Sequence, residues 1–505
     1  MISKWKYGLG VALGVTCGCL IGLIRNVPAK EWAPIFAAAT FVLVLAVARH
    51  RERWCVFLFL VTAPLPMHGF LLKLDPVHGG GALGIYVVAA DVPLIALYVL
   101  WFLEWARRQN GGTYRPNRFI VWFLPFLIMG GLSIIYSVQP LWAACEWLRW
   151  LKVLLILFYA IKRFRPSEMN WYLSALAPST ILQSTLAVLQ SLTHSHLGLD
   201  RLGIFGSGGT EEITQELAGG ESLYRGLGLT SHPELLSSYL LLLLPVFALL
   251  LLVDRRKPFQ LLWSAAFCVG VGGLVATMSR TAWVCFLAVG MLAFILAVFL
   301  SILTPKKAIV VCVVVMMSGG VLALTQSSLI LKRFHSDFSE SWKLRAQLND
   351  TALDIATDFP LGGVGLNNYT LVYPHYDRAF ANQMVEMDNL ITAVHNVYLL
   401  VLAETGVLGL AAFLAFYFRV FWGTSRSMLR MSRFNRAVAL GILSGLLAAM
   451  LCDLTEISLF FEIVMYTVPV LVGMIEIMAV GEVFENALAG FRSSAALPGV
   501  AELQY

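Results

Sequence analysis

Charge is scarce in this chain. Asp, Glu, Lys and Arg make up 13% of 505 residues, where a soluble protein carries about a quarter. That shortage excludes a string of soluble domains. The net charge of +6 lies mainly in short segments between apolar blocks, which argues against a nucleic-acid surface. Cysteine is also sparse and unpatterned. Cys17, Cys19, Cys55, Cys145, Cys268, Cys285, Cys312 and Cys452 all fall in apolar blocks, and no pair has metal-ligand or redox spacing. They read as buried bystanders, which removes disulfide scaffolds and thiolate metal sites. No internal repeat or low-complexity tract stands out.

What the chain has instead is apolar length. Hydrophobic residues make up 59% and mean hydropathy is +0.77. The apolar residues gather in blocks of about 17 to 25, the length that crosses a bilayer as helix. Fourteen blocks are read, near 7–24, 32–48, 54–72, 84–103, 119–137, 143–161, 170–192, 234–253, 260–278, 281–303, 308–325, 395–418, 437–453 and 457–479. Threaded alternately with the N-terminus inside, roughly two-thirds of the Lys and Arg fall on the inner side, the positive-inside pattern. The fold class expected is an all-α integral membrane protein: one polytopic bundle of about 14 transmembrane helices over residues 1–505. Loops 193–233 and 326–394 then face outward, the latter carrying amphipathic helices, and 480–505 forms a weakly ordered cytoplasmic tail. Segment 1–24 resembles a signal peptide, but its long apolar stretch and the lack of a small-residue cleavage site predict a retained span.

Four outward residues could carry chemistry. Arg225 lies in LYRGLGLTSHPELLSSYL, just before the eighth block, and Arg280 in TMSRTAW, a very short turn between the ninth and tenth. Arg345 lies on a segment whose Leu344, Leu348, Ala352 and Ile355 have helical spacing. That segment could lie along the bilayer surface or cap the bundle. His395 opens the twelfth block. A guanidinium keeps its charge and presents a planar fork of donors suited to phosphate. Several together can hold a diphosphate and stabilise it as a leaving group. An imidazole suits the activation of a hydroxyl. Together they match group transfer from a lipid diphosphate to an alcohol.

Each residue also has a plainer reading. Arginines at span ends snorkel to headgroups, and a histidine at a helix start can be a satisfied polar group. GGVG at 362–365 lacks the Lys-Ser/Thr of a phosphate loop and reads as a turn. Glu404, within a span beside Gly406, needs a buried partner. Glu146, Arg149 and Lys152 share one helix face, either as a compensated set or as an extension of the diphosphate site. Asp453 and Glu456 bracket the last outer turn and read as solvated. The acidic, glycine-rich run 206–222 reads as a mobile loop that could touch sugars.

Taken together, SRTAW at 279–283, WKLRAQLNDTALDIATDFPLGGVGLNNY at 342–369 and HNVYLLVLAETGVLGL at 395–410 resemble the O-antigen ligase and Wzy-type polymerase superfamily. YRGLGLTSHPELLSSYL at 224–240 is a looser match, with His232-Pro233 where that family usually has Asn-Pro. The resemblance covers roughly residues 200–420. It implies a metal-independent glycosyltransferase, without a cofactor, at the outer face of a bacterial inner membrane, and the threading of fourteen spans puts both termini in the cytoplasm. The donor would be an undecaprenyl-diphosphate-linked glycan. Under the resemblance, His395 is the base or acceptor-orienting residue, Arg280 and Arg225 hold the diphosphate, and Arg345 supports them. Three activities follow in order: Wzy-type polymerisation of repeat units, ligation to a lipid A core or a protein hydroxyl, and, distantly, flipping or transport. Chain-length regulator and flippase proteins are the partners such an enzyme would meet.

Overall fold

The computed structural model describes residues 50–65, 68–74, 81–107, 117–199, 214–216, 222–306, 309, 338–376 and 393–495. The expected spans 7–24, 32–48 and, apart from Ile309, 308–325 lie outside these residues, as do Cys17, Cys19, Cys312 and most of the run 206–222.

Helices α1 (Arg51–Thr62), α2 (Asp91–Arg107), α3 (Arg118–Tyr136), α4 (Pro140–Arg163) and α5 (Met169–Thr193) come first. They are followed by α6 (Pro233–Val253), α7 (Lys257–Ala276) and α8 (Arg280–Phe299). Next come α9 (Phe338–Asp358), α10 (Tyr369–Tyr376), α11 (Val397–Met428), α12 (Arg433–Cys452) and α13 (Glu462–Ala495). Among the described residues, eight helices are long and apolar enough to cross a membrane: α3, α5 to α8 and α11 to α13. Helix α4 has the length, 24 residues, but carries Glu146, Arg149 and Lys152 in its interior.

Two expected spans are corrected. Block 54–72 is the 12-residue α1 followed by strand β1 (His68–Lys73), and block 84–103 is strand β2 (Gly84–Val88) followed by α2. The strands pair antiparallel with an irregularity between Phe70 and Leu72. Pro64 stops the helical path after α1. A mean over an apolar window does not register that change of period from helix to strand. A second small hairpin, β3 (Thr214–Glu216) with β4 (Ser222–Tyr224), lies in the expected outer loop. The tail is helical through Ala495 rather than irregular.

The bundle is arranged around α6 and α13. Nearly the whole apolar window of α13 is buried, 94%, against 28% for α8, which presents most of its surface outward. Helix α6 packs on α12, α7 and α8, α3 on α11 and α4, and α13 on α4. Leu240 to Leu244 of α6 are fully buried, so this helix is apolar all round because protein surrounds it.

Helix α11 is broken at Gly406, whose φ of 67° and ψ of −174° are non-helical. The segment between α9 and α10 fills the break. The Val364 and Gly365 N–H groups donate to the carbonyls of Ala403 and Glu404 at 2.9 Å each, and the Val407 N–H donates to Pro360 at 2.8 Å. A Cβ on Gly406 would lie 2.3 Å from the Leu361 backbone, and one on Gly363 2.3 Å from that of Glu404. Both residues have positive φ, so glycine is required twice over. GGVG is therefore a turn plugged into a helix break.

Candidate functional site

Helices α6, α8 and α11 begin at one end of the bundle, and each has a side-chain cap. His232 Nδ1 accepts from the Glu234 N–H at 3.2 Å. Ser279 Oγ accepts from Ala282 at 3.4 Å, and Asn396 Oδ1 from Tyr398 and Leu399 at 3.0 and 3.1 Å. An imidazole thus does at position 232 what an asparagine oxygen does in Asn-Pro, so the departure from the family pattern leaves the helix start intact. Three helix N-termini place partial positive charge at this end, where an anion is favoured.

The four residues expected from the sequence meet here. Arg225 is buried, its Nε donating to the Thr277 carbonyl at 3.0 Å and its Nη2 facing Glu234 at 3.4 Å. The main chain beside it is fixed by Gly226 N–H on the Ala276 carbonyl at 2.8 Å. Arg280, first residue of α8, lies within electrostatic reach of both Arg345 and Arg225. Arg345 Nη2 donates to Glu456 Oε1 at 2.9 Å. His395 Nδ1 lies 3.6 Å from Glu456 Oε2, with the side chain still 32% exposed. An imidazole that open can be reached by a substrate.

Arg345 arrives on α9 as its pattern implied. Leu348, Ala352 and Ile355 are buried, and α9 packs on α11 and α10. The helix therefore caps the bundle. The side chain of Leu344 lies outside the described residues.

Two carboxylates complete the site, Glu234, which was not singled out from the sequence, and Glu456, which was read as solvated. Glu234, in the first turn of α6, and Glu456, between α12 and α13, bring their carboxylates within 4.8 Å of each other. Asp453 and Glu456, read as solvated, are buried. Asp453 shapes the turn: Oδ1 accepts from the Ser458 N–H at 3.0 Å and hydroxyl at 2.6 Å, and Oδ2 from the Leu459 N–H at 3.0 Å. The Val397 N–H then donates to the carbonyls of both Asp453 and Glu456, at 3.0 and 3.2 Å. The turn is thereby pinned to the helix start beside His395. No spacing rule links residues 234, 395 and 456. The one available signal was charge balance, since arginines gathered in an apolar chain need carboxylates.

Burial sets the protonation states. It raises the Asp453 carboxyl to about 6. Burial and then the neighbouring charge of Glu234 push the Glu456 carboxyl well above the ordinary range. Burial lowers the His395 imidazole, an effect that Arg345 and His232 reinforce and Glu234 opposes. His395 is therefore neutral near pH 7, the form that accepts a proton. Glu234, His395 and Glu456 offer donor atoms within 4.8 Å of one another. Arg225 and Arg345 already engage the two carboxylates and oppose a further cation, so these residues are not assigned as metal ligands.

The other polar residues of the sequence are used internally. Arg149 Nη1 donates to Glu146 Oε2 at 2.6 Å, and its Nε lies 2.9 Å from Glu462. Lys152 pairs with Asp91 at 2.6 Å and donates to the Tyr86 carbonyl at 3.1 Å. This compensated set joins the β1–β2 hairpin to α4 and α13, and Arg149 also bonds the Phe460 carbonyl of the Glu456 turn. Glu404 accepts from the Tyr369 N–H at 3.4 Å and from the N–H groups of Asn367 and Asn368, a structural use. Cys55, Cys145, Cys285 and Cys452 are buried, whereas Cys268 is exposed on the side of the bundle.

Residues 265–414 match the family model described as O-antigen ligase. The matched segment holds Arg280, Arg345 and His395 and begins after Arg225. A search of curated proteins finds no match. The match at 265–414 is to a family of glycosyltransferase-like enzymes, and it supports placing this multi-pass membrane protein in the O-antigen ligase and Wzy superfamily.

Proposed function

We propose that this protein polymerises undecaprenyl-diphosphate-linked oligosaccharide repeat units at the outer face of a bacterial inner membrane, as a Wzy-type surface polysaccharide polymerase. The observation that carries this reading is the meeting of Arg225, Arg280, Arg345 and His395 at one end of the bundle, where three helices begin. Guanidiniums and helix N-termini together suit a diphosphate, which leaves as an anion and needs no acid. Neutral His395, partly open, suits the deprotonation of an acceptor hydroxyl as it attacks the anomeric carbon. Arginine charge does the work a divalent cation does in other phosphate sites, so the reaction is proposed to be metal-independent.

Ligation of the glycan to a lipid A core is the second reading, favoured by the match to a family described as O-antigen ligase. Both readings share the donor chemistry and differ in the acceptor. A flippase would draw on the broken α11 and the charged face of α4. The α9–α10 segment fills the break and Asp91 and Glu462 neutralise the charges, which supports an enzyme instead. Deleting the gene and separating the surface glycan on a gel tests the assignment. Loss of a polymerase leaves a single repeat on its acceptor, whereas loss of a ligase leaves long chains on the carrier lipid. Residue-specific labelling that put Arg280 and His395 on opposite faces of the membrane would overturn both.

A further inference from the structure

Glu456 stands between Arg345 and His395 and gives one oxygen to each, at 2.9 Å to Nη2 and 3.6 Å to Nδ1. Its carboxyl also lies within 4.8 Å of that of Glu234, which reaches Arg225 at 3.4 Å and His232 Nδ1 at 3.5 Å. Two carboxyls this close in a buried site resist ionising together, and the charge of Glu234 helps to hold the Glu456 carboxyl above its ordinary range. The groups facing His395 are thus Glu456 from the turn, Arg345 from α9, and Glu234 and His232 from the start of α6. With Nδ1 turned toward Glu456, the ring's second nitrogen, Nε2, lies on its opposite edge.

We propose that Glu456 and Glu234 form a one-proton positioning pair behind His395, holding its ring with Nε2 toward the acceptor hydroxyl and stabilising the imidazolium that forms during transfer. This rests on the glycan-transfer reading above. In the step, the acceptor oxygen bonds the anomeric carbon while its proton passes to Nε2. The bond from that carbon to the diphosphate oxygen breaks, and its electron pair stays on the diphosphate. The Nδ1–H of the resulting imidazolium then faces the anionic pair, and the proton is finally lost to water. The 3.6 Å separation is of the kind that shortens when substrate is bound and the ring gains charge. The pinned turn keeps the relation independent of α9: Val397, two residues after His395, donates to the main chain of Glu456 itself.

The test uses purified full-length protein added to membranes of a strain lacking the gene, which hold both the lipid-linked donor and the acceptor. A glutamine at 456 keeps an oxygen for Arg345 but sets an N–H against Nδ1, which forces the ring proton onto Nε2. Glu456→Gln is expected to lower kcat about 100-fold, with little change in the donor KM. Glu456→Asp should recover part of the loss. Glu234→Gln leaves Glu456 to carry the charge and should have the smaller effect. The double Gln variant removes the anion, so the acidic limb of its pH–rate profile should move to lower pH. Melting temperatures near wild type establish folding, and if Glu456→Gln fails to fold, the Asp variant and Glu234→Gln decide. Wild-type kcat and pH profile in the folded variants, with His395→Ala inactive, would overturn the positioning pair alone. Activity in His395→Ala would instead overturn the transfer chemistry on which the pair depends.

Discussion

Arg345 and Glu456 are 111 residues apart in the chain and 2.9 Å apart in space. Glu456 is almost fully buried while Arg345 stays a quarter exposed, so the pair is strong on one side and substrate-accessible on the other. Arg345→Ala would leave the Glu456 carboxyl without its cation. Because that carboxyl can take up a proton, the expected cost is about 1–3 kcal/mol. A lower melting temperature together with a raised donor KM checks this. Wild-type values for both would show that Arg345 contributes to neither packing nor donor binding.

His395→Ala is expected to abolish transfer while the protein still inserts in the membrane at normal yield. In the wild type the protonated ring is inactive, so activity falls as pH drops through the histidine's pKa. Burial places that pKa below the ordinary value of about 6.5. The acidic limb of kcat should therefore lie below pH 6.5, with no histidine-dependent loss above it. An acidic limb above 6.5 would refute the direction of the shift.

Arg280→Lys keeps the charge but loses the planar fork, and a fall in transfer of about 100-fold is expected. The measurement is single-turnover transfer at saturating lipid-linked donor. A normal rate would reduce Arg280 to a supplier of charge.

Gly406→Ala would force a Cβ to within 2.3 Å of the Leu361 backbone at a φ of 67°. Loss of about 3 kcal/mol, read as a lower melting temperature and poor yield, is expected. Gly290→Ala is the matched control, because nothing lies within 4 Å of its added Cβ. On helix α8 that change should be neutral or stabilise by up to about 1 kcal/mol.

Metal independence is open to direct measurement. Dialysis against EDTA should leave transfer unchanged, and added Mg²⁺ or Mn²⁺ should not raise it. A rate that collapses on chelation and returns with one cation would recast Glu234, His395 and Glu456 as its ligands.

The membrane-spanning class was legible in the sequence for a local reason: each segment must be apolar along its own length to replace water with lipid. The same logic exposed Arg225, Arg280, Arg345 and His395, since an ionisable group in so apolar a chain is costly and stands out by itself. It failed at 54–72 and 84–103, where apolar strands and short helices share the hydropathy of a span. Only the tertiary structure decided that Glu456 is buried against Arg345 and His395 rather than solvated, that Glu234 stands beside it, and that GGVG fills the break at Gly406. The physical reason is that transfer from water to lipid is summed along a segment. Pairing of charges and filling of a helix break depend instead on which distant segments meet, and no single stretch of sequence carries that.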